Sequence, residues 1–222
     1  MAQAMEKKEE KVKVGITGHS QGIGKAFTEL LDHKGIEWIG FSRSNGHEIR
    51  TEEGQRAIVN GIKDCDVFFN NAYDWDGYGS CQIDLLYKVW KEWRTRKTKI
   101  VCMSSIGGDM HKVKDEIPPW EEGKGFLGYD TFKAGLDYAC KQLNMLPYWE
   151  LGYHCKIINI RPGLVDTQLV STEALKDLDY EEWTDARKMD PRYIAEVILW
   201  TLQQPEHIMS ITIADDQRVN SK

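Results

Sequence analysis

Tyr129 and Lys133 stand four residues apart, a spacing that puts both side chains on one face of a helix. A phenol ordinarily titrates at about 10. A lysine charge beside it favours the phenolate and brings the pair towards the range where tyrosine can give and take protons. Ser105 lies 24 positions before Tyr129, next to Ser104. A hydroxyl in either place can donate to an oxygen on which negative charge develops. Together the three groups suit protonation of the alkoxide left when a hydride adds to a carbonyl, and the reverse reaction.

A second cluster precedes them. The first apolar run ends in Thr17-Gly18-His19-Ser20-Gln21-Gly22-Ile23-Gly24, and a helical pattern follows at once. Gly18 permits a tight turn, Gly22 lets the backbone approach a pyrophosphate, and Gly24 allows close helix–strand packing. The helix N-terminus adds free N–H groups and a positive dipole. A dinucleotide fits this pattern. The next apolar run ends in Ser42-Arg43-Ser44. It lacks the acid that binds the ribose 2′-hydroxyl of NAD, and Arg43 can pair with a 2′-phosphate with support from Ser42 and Ser44. NADP(H) is therefore expected over NAD(H).

These groups need a frame. Short apolar runs predict strands over 12–17, 36–41, 65–70, 100–104, 155–160 and 208–213, with a weak seventh at 48–49. Apolar residues at helical spacing predict helices over 21–34, 52–62, 83–96, 129–146 and 191–203. The last has Asp190 as N-cap and Pro191 in its first turn. Strand–helix alternation at this pace implies an α/β domain: a doubly wound, mainly parallel seven-stranded sheet with helices on both faces. A single dinucleotide-binding domain is expected over 12–214, after a flexible arm at 1–11. Segments 107–128 and 165–189 break the rhythm and read as substrate-side loops or a lid.

Composition narrows the partners. The 222 residues carry a net charge of −6, with 41% hydrophobic and 29% charged residues. Neither nucleic acid nor an anionic membrane is expected. No run approaches the ~20 apolar residues of a membrane span, and the charged start is no secretory signal, so a cytoplasmic location is expected. Cys65, Cys81, Cys102, Cys140 and Cys155 form no CxxC pair and read as reduced thiols. No His or Cys spacing suggests a metal.

The motifs in order resemble the short-chain dehydrogenase/reductase family. Thr17–Gly24 matches TGxxxGxG, Asn70-Asn71-Ala72 matches the start of NNAG with Tyr73 in place of the glycine, Ser104-Ser105 ends a strand, Tyr129–Lys133 is YxxxK, and Pro162-Gly163-Leu164-Val165-Asp166-Thr167 is PGxVxT. The resemblance spans about residues 12–214. It implies a Rossmann-type fold and an oxidoreductase moving a hydride between NADP(H) and a small carbonyl or alcohol. It also implies Ser105 as the catalytic serine, because Ile106-Gly107-Gly108 follows it, with Tyr129 as general acid/base and Lys133 beside it. Cofactor contacts are implied for Gly18, Ser20, Gln21, Gly22, Ile23, Gly24, Ser42, Arg43, Asn71, Ala72, Tyr129, Lys133, Pro162, Gly163, Val165 and Thr167.

Two features depart from the pattern. No Asn lies between Asn71 and Ser105, where the family places one that positions a proton-relay water. Gln82 and Asp84 are the candidates to replace it. The Ser105–Tyr129 interval is long and resembles that of the extended branch, whose members include epimerases and dehydratases that retain their nicotinamide. Such an enzyme, or an NADP(H)-binding regulatory protein with little catalysis, is the alternative to a carbonyl reductase. Trp75, Trp120 and Trp183 fall in irregular segments, whereas Trp38, Trp90, Trp93 and Trp200 fall in regular elements. Helices 83–96 and 129–146 carry more large apolar groups than one buried face needs, among them Leu86, Val89, Trp90, Trp93, Phe132, Leu136, Tyr138, Ala139 and Leu143. A homodimer or homotetramer is expected from that surplus.

Overall fold

The computed structural model describes residues 12–74, 80–109, 126–149, 152–168 and 187–214. Trp75, Trp120 and Trp183, the arm at 1–11, and most of the two expected loop segments lie outside them. The elements run β1 (Lys13–Thr17), α1 (Gly22–His33), β2 (Glu37–Phe41), α2 (Glu52–Gly61), β3 (Val67–Asn70), α3 (Cys81–Trp93), β4 (Lys99–Met103), α4 (Phe126–Trp149), β5 (Lys156–Pro162), α5 (Pro191–Gln203) and β6 (Ser210–Ile213). Short 3₁₀ turns cover Arg43–Asn45 and Ile106–Asp109.

All six strands are parallel, in the order β2-β1-β3-β4-β5-β6. Parallel strands covered on both faces read as continuous apolar runs, and β3 (Val67-Phe68-Phe69-Asn70) is buried throughout. Its side chains alternate between two cores. Phe68 packs with Ile100 and Cys102 beneath α2, α3 and α4. Val67 and Phe69 pack with Val101 and Met103 beneath α1 and α5. The ring of Phe27 on α1 meets Phe69 edge-on, centroids 5.3 Å apart.

The expected seventh strand at 48–49 does not form, so the described sheet has six strands. The start of α2 takes the backbone groups that a strand would need. Thr51 reaches the Glu48 carbonyl through its N–H and its hydroxyl, and Gln55 donates its side-chain amide to the Ile49 carbonyl at 2.7 Å. Gly54 lies so close that a Cβ there would sit 1.9 Å from the Glu48 oxygen.

The surplus apolar groups of α3 and α4 are largely used within the chain. Leu86, Val89, Trp93, Leu136, Ala139 and Leu143 are all buried, and Trp90 packs edge-on against Tyr153, 5.5 Å between centroids. Tyr138 is 62% exposed. Trp200 is half exposed on α5. All five cysteines are buried free thiols. Among the described residues no helix is long and apolar enough to cross a membrane.

Candidate active site

The chain runs outwards from β1 to β2 and then crosses back to β3, so β1 pairs with β2 on one side and β3 on the other. Open α/β sheets hold ligands at the carboxyl ends of the strands beside such a switch. A cleft of about 460 Å³ opens there.

Its floor is the glycine turn. Gly18 and Gly22 have φ of +67° and +52°, values that side-chain-bearing residues rarely adopt. A Cβ at Gly24 would lie 2.1 Å from the Gly18 oxygen, so Gly24 serves packing. Gly24 is the one expected cofactor residue that does not line the cleft. Thr17 anchors the turn, because its hydroxyl accepts from the backbone N–H groups of Asn71 (3.0 Å) and Ala72 (3.1 Å). The Asn71 amide then donates to the carbonyls of Thr17 and Gly18, each at 3.1 Å. Gln21 precedes α1 without capping it through its side chain, and no acid stands in the first turn. The turn and its helix N-terminus therefore present donors and positive dipole to the cleft, a combination suited to an anion.

One wall carries Ser42 and Arg43 together with His47, Glu48 and Ile49. Burial raises the Glu48 carboxyl, but the hydrogen bonds and charge of Arg50, with the charge of Arg43 behind them, outweigh it and hold the group below its usual range. The opposite wall brings Pro162, Gly163, Val165 and Thr167 to the cleft. Val165 bridges Met189 in parallel, which ties together the two ends of the expected lid.

The groups expected to react lie between the walls. Ser105, Tyr129 and Lys133 all line the cleft. Ser104 is buried, and its hydroxyl donates to the Lys133 carbonyl at 3.2 Å. It fastens the end of β4 to α4. The Ser105 hydroxyl accepts from the Gly107 N–H at 3.0 Å and is hydrogen-bonded to Tyr129. Burial pushes the Tyr129 phenol up to about 12, with Ser105 opposing and the charges of Asp130 and Asp137 adding. The expected lowering by Lys133 is not met, because Lys133 is itself buried and pushed down to about 7. Its ammonium nitrogen donates to the Met103 carbonyl at 2.7 Å and to the Gln82 side-chain oxygen at 2.9 Å, and lies 5.4 Å from the Tyr129 ring centroid. Tyr129 is thus held as a protonated phenol beside a serine hydroxyl, an arrangement that can deliver a proton.

Aligned over 219 residues, the chain is 40% identical to an uncharacterized oxidoreductase of Staphylococcus aureus strain MRSA252, with 87% of this chain and 91% of that protein covered. The chain belongs to the short-chain dehydrogenase/reductase family. No protein-family model matches it. Its fold is that of short-chain dehydrogenases/reductases of known structure. The 3-alpha-hydroxysteroid dehydrogenase from Pseudomonas sp. B-0831, solved with NADH, superposes with a TM-score of 0.75 at 21% identity, over 95% of this chain and 99% of that one. The L-sorbose reductase from Gluconobacter frateurii, solved with NADPH and L-sorbose, superposes with a TM-score of 0.66 at 18% identity, over 93% and 95%.

Several cleft residues of this short-chain dehydrogenase/reductase escaped the sequence reading of the site, Glu48, Tyr73 and Asp74 among them. Tyr73, where the family motif has glycine, lines the cleft, and its ring lies 4.9 Å from the Lys133 nitrogen. The departure from NNAG was the signal that it had a use. Of the two candidates for the absent Asn, Asp84 is exposed and Gln82 is the one that reaches Lys133. Asp74, buried with its carboxylate 3.6 Å from the Arg50 guanidinium, also lines the cleft; no motif pointed to it.

Proposed function

We propose that this short-chain dehydrogenase/reductase is an NADPH-dependent reductase of a small carbonyl compound. One observation carries the reading: a protonated phenol with a serine hydroxyl beside it shares a single cleft with a turn built for a diphosphate. Gly18, Gly22 and the N-terminus of α1 would hold the diphosphate, Arg43 and Ser42 the 2′-phosphate, and Val165 and Thr167 the nicotinamide end. When bound, NADPH supplies the hydride. Ser105 holds the carbonyl oxygen of the substrate, and Tyr129 gives its proton to that oxygen as charge develops there. In its protonated form Lys133 offsets the negative charge left on the phenol until solvent returns a proton to it. The L-sorbose reductase, solved with its sugar and NADPH, is a fold-level analogue in keeping with a small polar carbonyl as substrate.

A turnover screen of ketones, aldehydes and quinones with NADPH tests the reading. Tyr129→Phe should lower kcat by about 10²–10⁴-fold, the usual worth of a positioned acid, and leave NADPH binding intact. Near-normal turnover by Tyr129→Phe would refute the assigned role. Cofactor binding without net NADPH consumption would instead favour an epimerase or a regulatory protein. We also propose a two-fold oligomer formed through the exposed Tyr87, Tyr138 and Met145 of α3 and α4; a light-scattering mass near the 25.6 kDa monomer would exclude it.

A further inference from the structure

Gln82 is the second residue of α3 and is 2% exposed. A buried amide has to satisfy both of its ends, and this one does so on three different elements. Its nitrogen donates to the carbonyls of Asn70 on β3 (2.9 Å) and Met103 on β4 (3.1 Å). Its oxygen accepts from the Lys133 nitrogen on α4 at 2.9 Å. The Asn70 side chain answers with a 2.9 Å bond to the Gln82 carbonyl. The orientation of the amide is forced. Flipped, it would turn its NH₂ towards an ammonium and its oxygen towards two carbonyls.

Met103 closes the figure. Its carbonyl accepts from both Gln82 and Lys133, so the three groups form a closed ring of hydrogen bonds at the end of β4. The two acceptors that fix the ammonium are both neutral oxygens. Asp137, on the same helix, is committed to Arg161 at 2.8 Å and to the Asn159 amide at 2.7 Å. The other groups facing Lys133 are the thiols of Cys81 on α3, Cys102 on β4 and Cys140 on α4, with the Tyr73 and Tyr129 rings on the cleft side.

We propose that Gln82 is a positioning residue of the active site, whose side-chain oxygen binds the Lys133 ammonium directly and fixes it beside Tyr129, in the role that the family gives to an Asn and a water. The proposal rests on the acid/base reading of Tyr129 and Lys133. A direct amide clamp has a consequence that a water link lacks. Any change at the Gln82 oxygen is felt by Lys133 at hydrogen-bond distance, with no mobile molecule between them to rearrange.

The test uses two variants of the full chain. Gln82→Glu keeps the shape and adds a charge, whereas Gln82→Leu keeps most of the volume and removes the acceptor. The titration of Lys133 is followed by NMR of ¹⁵N-labelled lysine side chains, assigned with Lys133→Met. Glutamate favours the charged ammonium, so the midpoint should move up by about one pH unit or more in Gln82→Glu. It should move down in Gln82→Leu. The kcat of Gln82→Leu should fall by about tenfold or more, the scale for losing a hydrogen bond to a charged group, with substrate KM changed less than kcat. An unmoved midpoint in Gln82→Glu overturns the proposal, even if Gln82→Leu is slow or fails to fold, because slowness alone would then mark a structural role. A shifted midpoint in a protein that turns over no carbonyl would keep the clamp and remove the reductase reading.

Discussion

The ring of Tyr73 meets the ring of Tyr129 edge-on, with centroids 5.0 Å apart and planes inclined at 73°. The partly positive edge of one ring therefore faces the partly negative face of the other, an arrangement worth about 0.5–1.5 kcal/mol beyond area burial. Tyr73 stands where the motif expects glycine, so its contact is an addition by this chain. Tyr73→Phe should keep the pair and leave kcat within about twofold. Tyr73→Ala should free the Tyr129 ring and lower kcat by roughly 2- to 12-fold, the same energy expressed as a rate. Steady-state kinetics at saturating cofactor decide, and equal kcat values in Tyr73→Ala and the unmodified protein would count against the contact.

Lys133 should leave a mark on the pH dependence of stability. Burial pushes its ammonium from about 10.5 down to about 7. Between those values the unfolded chain binds a proton that the folded chain has released, so stability rises with pH across the window from about 7 to about 10.5. Below pH 7 both states are protonated and the cost of the buried charge is present in full. Lys133→Met lacks this dependence. The melting temperature of the unmodified protein minus that of Lys133→Met should therefore increase from pH 7 to pH 9. A flat difference would show that the lysine keeps its charge in the fold.

The proposed preference for NADPH rests on two opposed charges. Arg43 and Glu48 both line the cleft, and the Arg43 charge is among those that hold the Glu48 carboxyl low. Arg43→Ala should erase most of the preference for NADPH over NADH, about tenfold to a hundredfold for one lost charge-assisted hydrogen bond. Glu48→Gln should act the other way and widen it, because a neutral amide no longer repels a phosphate. Fluorescence titrations with each cofactor test both changes. Superimposable NADPH and NADH curves for the unmodified protein would end the argument.

Thr17 offers a test of the turn itself. Its hydroxyl serves two backbone N–H groups and donates to the Phe69 carbonyl at 3.4 Å. Valine has the same shape without the oxygen. Thr17→Val should cost about 1–3 kcal/mol for each donor left without a partner, read as a lower urea midpoint at unchanged slope. A midpoint equal to that of the unmodified protein would mean that water replaces the hydroxyl there.

The sequence carried the frame further than the details. Six strands and five helices fall within a few residues of their apolar patterns, since burial on both faces of a parallel sheet writes itself into composition. The strand at 48–49 failed because its backbone groups were claimed by Thr51 and Gln55, a local competition that hydropathy does not record. In the cleft, Gly18, Gly22, Tyr129 and Lys133 were legible because one turn and one helix place them by spacing alone, and Ser105 through the family motif that continues after it. Gln82 could only be nominated. Its partners lie 12, 21 and 51 positions away, and only the packing of three elements brings them to one amide. The expectation that Lys133 lowers Tyr129 departs from the structure for a related reason: spacing puts a lysine near a phenol, but burial pushes both groups towards their neutral forms.

The strand that does not form also changes what β2 is. With no partner from 48–49, β2 is the outer strand on its side of the described sheet, and open strands invite pairing with other chains. The carboxyl end of this one is stoppered. The carbonyl of Gly40 accepts the Asn45 side-chain amide at 2.8 Å, while the next carbonyl, of Phe41, points inwards to the Gly18 N–H. Five residues long and plugged at one end, β2 offers a foreign strand a shortened template, and the plug is Asn45 of the same turn that puts Arg43 on the cleft wall.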